Sequence, residues 1–176
     1  LSSCCKCILS VGRKYNRQMA EQTTPPAMKE KPMKKEPGTT KEPKDQLTGS
    51  CLCGAVSFSI VGDPVAQLLC FCSDCRRISG ADAYAAYVVP RPALTLKTGT
   101  PTSYTVTAAS GRVNKRNFCG TCGSRLWADL EMGLASVSGT ALSDPEIFKP
   151  TMVHCESDAP TWARIPEQME SLPPTS

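Results

Sequence analysis

The sequence predicts a mostly β domain of many short strands behind a disordered amino-terminal tail. Three observations lead there. Apolar and polar residues alternate with a period of two in short runs, as in Val56-Ser57-Phe58-Ser59-Ile60. Gly, Pro, Asn or Asp punctuates most of the gaps between such runs. Seven cysteines fall in three tight clusters, Cys51-Leu-Cys53, Cys70-Phe-Cys72-Ser-Asp-Cys75 and Cys119-Gly-Thr-Cys122. Such clusters suit a small domain whose core leans on metal, since only 6% of the chain is aromatic.

The elements follow in order. Residues 1–46 are expected to be a disordered basic tail. Residues 21–45 carry five prolines, dense charge of both signs and only Met28 and Met33 as large apolar side chains. A segment like that cannot bury enough surface to offset its ordering entropy. Residues 1–18, ahead of Met19, are expected to be a fragment edge or upstream coding sequence. The alternative is acylation at Cys4, Cys5 or Cys7, or a piece of a transit peptide.

The domain is expected over residues 47–170. Strands are predicted at 56–60, 66–69, 84–89, 94–97, 103–107, 113–118, 125–129 and 134–138, with Gly62-Asp63-Pro64 closing the first. No window of a dozen residues keeps a helical period. Short helices are predicted only at 74–79 and 144–147.

Charge is unevenly placed. Residues 1–47 hold ten Lys and Arg against five Asp and Glu, whereas residues 48–176 hold ten against eleven. A nearly neutral domain with few aromatics argues against binding nucleic acid through phosphates or base stacking. No stretch approaches the roughly 18 apolar residues of a membrane-spanning helix. The expected compartment is intracellular, the cytoplasm first and the nucleus second. A disulfide framework is the rival for the cysteines. It belongs to oxidising compartments, and the first twenty residues show no apolar run of the secretory kind.

Metal binding explains the spacings better. In Cys119-x-x-Cys122-Gly123 two intervening residues let both thiolates reach one zinc about 2.3 Å away. Gly123 can take a positive φ and permit the reversal around the ion. Cys51-x-Cys53-Gly54 is the natural second pair, and Cys70, Cys72 and Cys75 then offer three sulfurs from one loop. Seven ligands divide into a closed site of four and a site of three with one position open. Other partitions stay open: Cys70 and Cys75 could join the late knuckle, or Cys155 could close the second site.

These three motifs, in this order, resemble the glutathione-dependent formaldehyde-activating enzyme family, which also contains the CENP-V domain. The resemblance runs over residues 48–162 and rests on Gly49-Ser50-Cys51-Leu52-Cys53-Gly54-Ala55-Val56, on Cys70 to Arg77 with Ser79-Gly80, and on Asn117 to Ser124. It implies a β-tent fold with two zinc ions per chain. Cys51, Cys53, Cys119 and Cys122 would hold the structural zinc, and Cys70, Cys72 and Cys75 the catalytic one. It implies a carbon–sulfur lyase acting on glutathione–aldehyde adducts, the substrate thiol entering the open zinc position. Two departures stand out. Phe71 fills a slot that is often His in the family, and His154, the chain's one histidine, lies near but not cleanly at the family's later His.

Arg76 and Arg77 are candidates to offset thiolate charge or hold a substrate carboxylate, as is Arg125. A second class of function is a non-enzymatic, zinc-stabilised β module that binds a protein or chromatin partner. A rubredoxin-like iron centre is the third, and it would want two well-framed Cys-x-x-Cys knuckles rather than one.

Overall fold

A computed structural model describes residues 46–108, 111–131 and 133–172. The expectations for residues 1–45 lie outside the described residues. The chain is mostly β, with many short strands. In order these are β1 (Gln46–Ser50), β2 (Ser57–Val61), β3 (Ala66–Cys70), β4 (Tyr84–Pro90), β5 (Leu94–Thr98) and β6 (Thr102–Thr107). They continue as β7 (Val113–Phe118), β8 (Arg125–Leu130), β9 (Leu134–Ser138), β10 (Met152–His154) and β11 (Glu170–Ser171). One α-helix among the described residues, α1 (Ser73–Ser79), follows β3.

The strands form two sheets. β1-β2-β5 is antiparallel, and β11-β10-β3-β4-β9-β8-β7-β6 is antiparallel except where β10 runs parallel to β3 and β11. One core joins them: Val56, Phe58, Ile60 and Leu94 from the small sheet side pack with Tyr87, Val89, Leu126, Trp127 and Val137 of the large sheet. Phe58 and Trp127 meet edge to face at 6.0 Å, the arrangement aromatic quadrupoles favour. Cys51 and Cys119 belong to the same core, so sulfur stands where a larger domain would place aromatic bulk.

All eight strands expected from the alternation form, with ends shifted by a residue or less. Burial departs from a simple two-faced reading at Ser59, which is fully buried with its hydroxyl unpartnered. Its cross-strand neighbours are Thr48 and Thr95, two longer side chains that cover it from both sides. Residues 145–147 form a single 3-10 turn rather than an α-helix. β1, β10 and β11 were not expected. Each is short, and the two last pair in parallel with strands distant in sequence, which local alternation does not reveal.

Gly49 shows how tightly β1 packs against β2 and the 139–141 turn. A Cβ there would overlap the Phe58 ring and stand 2.6 Å from the Ala141 carbonyl oxygen.

Candidate metal centre

The first cysteine set forms where two turns face each other. Cys51 follows β1, and its turn is closed by Gly54 N–H donating to the Cys51 carbonyl at 3.1 Å. Cys119 follows β7, and Gly123 N–H donates to its carbonyl at 2.9 Å. Gly54 and Gly123 have φ of +74° and +75°, the left-handed turns expected of a metal knuckle.

The sulfurs of Cys51, Cys53, Cys119 and Cys122 lie within 4.8 Å of one another. Four thiolates on one tetrahedral zinc stand roughly 3.8 Å apart, given bonds of about 2.3 Å. The Cys51–Cys53 and Cys53–Cys119 separations are 3.5 and 3.7 Å, so the donor set fits zinc.

Neighbouring groups favour negative charge on part of this set. Val56 N–H donates to the Cys51 sulfur at 3.2 Å and holds that thiol below its usual range. The Ser124 hydroxyl bonds the Cys122 sulfur at 3.2 Å and brings that thiol down to about 5. Ser124 also accepts from Leu52 N–H at 3.0 Å, which couples the two turns. Cys53 is pushed the other way: although Ala55 N–H lowers it, contact with Cys122 and Cys51 drives it up to about 12.

The second set sits at the β3–α1 junction. Cys70 ends β3, Cys72 caps α1, and Cys75 lies in its first turn, accepting no cap but donating its N–H to the Cys72 sulfur at 3.4 Å. A helix this short and capped by sulfur explains the Cys72-x-x-Cys75 spacing. The three sulfurs lie within 4.8 Å of one another. Cys72 carries the charge: hydrogen bonds from Cys70, then Cys75, pull it down to about 2. Cys70 is pushed far up, first by Cys72. Cys75 rises to about 12, because Cys72 opposes the lowering influence of Cys70.

The flanking residues take distinct places. Arg76 spends its Nε on the Phe71 carbonyl at 3.0 Å, and Arg77 is exposed. Phe71 is buried in the core. The cations beside Cys75 come from the large sheet instead. Arg116 of β7 is buried and bonds Asp74 of α1 at 3.1 Å, and its charge favours the Cys75 thiolate. Arg125 of β8 lies 5.7 Å from the centre of the Tyr84 ring. Arg116 sits within Asn114-Lys115-Arg116-Asn117, a polar run that reads as solvent-facing until α1 packs over it.

His154 and Cys155 also reach this set. His154 pairs with Cys70 across β10 and β3, and its Nδ1 stands 3.3 Å from both the Cys70 and the Cys155 sulfurs. Cys70, His154 and Cys155 thus form a second group of potential ligands that shares Cys70 with the first three. Cys155 is the one non-glycine with a positive φ, +54°, among the described residues.

A cavity of about 590 Å³ adjoins the four-cysteine set. Cys51 and Cys122 line one side, and Ile78, Ser79, Tyr84 and Arg125 line the other. None of Cys70, Cys72 or Cys75 lines it, but Tyr84 is the cross-strand neighbour of Cys70.

Residues 46–157 match the model of a protein family described as glutathione-dependent formaldehyde-activating enzyme. The chain is 32% identical over 130 residues to a Halomonas elongata protein provisionally named a glutathione-dependent formaldehyde-activating enzyme, covering 68% of this chain and 80% of that one. A crystal structure of a Rhodobacter sphaeroides protein is 24% identical, with a TM-score of 0.46 over 56% of this chain and 92% of that chain.

Proposed function

The chain belongs to the glutathione-dependent formaldehyde-activating enzyme family, and on that premise we propose that it is a carbon–sulfur lyase forming or cleaving the S-hydroxymethyl adduct of glutathione. The observation that carries this reading is the set of three sulfurs, Cys70, Cys72 and Cys75, one donor short of a closed tetrahedron; Tyr84, the cross-strand neighbour of Cys70, lines a cavity of ligand size. Cys51, Cys53, Cys119 and Cys122 would hold a second, structural zinc that ties the end of β1 to the β7–β8 turn. Residues 47–170 are the unit that carries the activity, and a reducing compartment such as the cytoplasm keeps its thiols free for metal.

Zinc held by Cys70, Cys72 and Cys75 would supply the positive charge that keeps a thiol ionised at neutral pH. In the reaction the thiolate sulfur adds to the aldehyde carbon. A C–S bond forms, the carbonyl π pair moves to oxygen, and the alkoxide takes a proton from solvent. Cleavage runs the same steps backward.

The protein's own groups assist by charge and by shape. Arg116, fixed by Asp74, offsets the negative charge gathered on the three sulfurs. Asp74 is thereby committed to Arg116 and is not free as a base. Phe71 is buried beside the loop, next to the buried Cys70.

The test is the visible spectrum of the cobalt-substituted full chain with and without glutathione, alongside adduct exchange followed by NMR. The expected result is a shift in the thiolate-to-cobalt bands that Cys72→Ser abolishes, together with exchange faster than in buffer. No shift and no acceleration would replace the lyase reading with that of a metal-stabilised binding module.

A further inference from the structure

Arg125 is a cation with no carboxylate partner among the described residues. The ion pairs among the described residues are Arg91–Asp129 and Arg116–Asp74. Arg125 has neither carboxylate. Its Nη1 donates to the Asn117 carbonyl at 3.3 Å, its guanidinium lies over Tyr84, and its Nε is buried with no partner. Burial pushes its pKa down, the response of a charge withdrawn from water without full compensation.

The place where it does this matters. Arg125 lines the 590 Å³ cavity, where hydroxyls of Ser50, Ser79, Ser124, Ser138, Thr140 and Ser143 stand with the sulfurs of Cys51 and Cys122. Among the described residues no carboxylate lines that cavity. One planar guanidinium among hydroxyls suits a carboxylate, which accepts two parallel N–H bonds from the fork while hydroxyls donate to its remaining lone pairs. The volume lies within the range for small-molecule sites and leaves room for a tripeptide. Tyr84 connects the cavity to the sulfurs, since it touches the Arg125 guanidinium on one side and neighbours Cys70 across the strand pair.

We propose that Arg125 anchors a carboxylate of the thiol substrate in this cavity, so that the substrate's sulfur is directed past Tyr84 toward Cys70, Cys72 and Cys75. This rests on the reading of the substrate as glutathione. It adds that the acid groups of the tripeptide, and not the thiol alone, determine which thiol binds. Arg125 is here a binding residue, separate from the groups that hold metal.

Calorimetry with S-methylglutathione and its diamide, in which both carboxylates are replaced by uncharged amides, tests the anchor on the full-length, metal-loaded protein, because a methylated sulfur takes no part in the chemistry. The expected result is binding of the diacid roughly tenfold or more tighter than the diamide, a preference that Arg125→Gln erases and Arg125→Lys partly keeps. Equal affinity for acid and amide, no binding of either, or an undiminished preference in a folded Arg125→Gln protein would overturn the proposal. The acid–amide comparison on unaltered protein stands even where the variant fails to fold. Acid-dependent binding in a protein that neither makes nor cleaves adduct would support the anchor and sink the lyase reading instead.

Discussion

His154 stands opposite Cys70 in the parallel pairing of β10 with β3, its Nδ1 3.3 Å from the Cys70 sulfur. A ring nitrogen at that distance orients the sulfur without needing to bind metal itself. Hydrogen bonds to ligands commonly govern affinity as strongly as this. His154→Ala should therefore weaken metal binding at the Cys70 set by about 10–100-fold while leaving the four-cysteine set loaded. Competition against a chromophoric chelator measures both sites. An unchanged second affinity would show that His154 is only a structural partner of β3.

The two cysteine sets differ in what they hold together. Cys119 lies in the shared core and ties the β7–β8 turn to the end of β1, whereas Cys72 caps one short helix at the domain's surface. Cys119→Ser should lower the unfolding temperature by on the order of 10 °C or more, and Cys72→Ser by about 3 °C or less. Cys72→Ser should still lose one equivalent of metal by mass spectrometry under native conditions. Equal collapse in both variants would remove the distinction between a structural and a reactive set.

What the sequence made legible follows from how local each signal is. The strands from β2 to β9 are each announced by their own alternation, and the cysteine clusters by their own spacing. The placement of His154 and Cys155 is not local. It depends on a parallel pairing between strands more than eighty residues apart, which no short pattern encodes. Among the arginines, Arg125 was a candidate from the sequence, whereas the burial of Arg116 beside Asp74 was not legible there. Arg76 and Arg77 adjoin the cysteines in sequence, but Arg116 and Arg125 arrive from another part of the sheet and carry the buried charge. Ser124 was visible within the third motif, yet its bonds to both Cys122 and Leu52 emerge only when the two turns meet.

Gly49 tests the fit of β1 against β2 and the 139–141 turn. Its missing side chain leaves room for the Phe58 ring and the Ala141 carbonyl, and a backbone oxygen cannot yield as a side chain would. Gly49→Ala should cost about 2–3 kcal/mol, measured by denaturant unfolding of the metal-loaded protein. A loss below roughly 0.5 kcal/mol would mean that β1 shifts freely against Phe58, contrary to the close approach.

Metal loading should release protons, and the sulfur environments say which. In the metal-free protein Cys53 and Cys75 are held up to about 12, and Cys70 is also raised, so these three carry protons at neutral pH. Cys72, held down to about 2, and Cys122, at about 5, are already thiolates there and release nothing. A metal takes the thiolate form, so binding favours deprotonation of the three raised groups. The sign follows directly: affinity at both sets climbs as pH rises, and continues to climb through the neutral and mildly alkaline range because the raised values lie above it. Adding zinc to metal-free protein in weak buffer near pH 7, with an indicator dye, should show protons leaving at both loading steps. Loading without proton release would mean the sulfurs were thiolates beforehand, and the hydrogen-bonded clusters would then need another source of positive charge to hold them together.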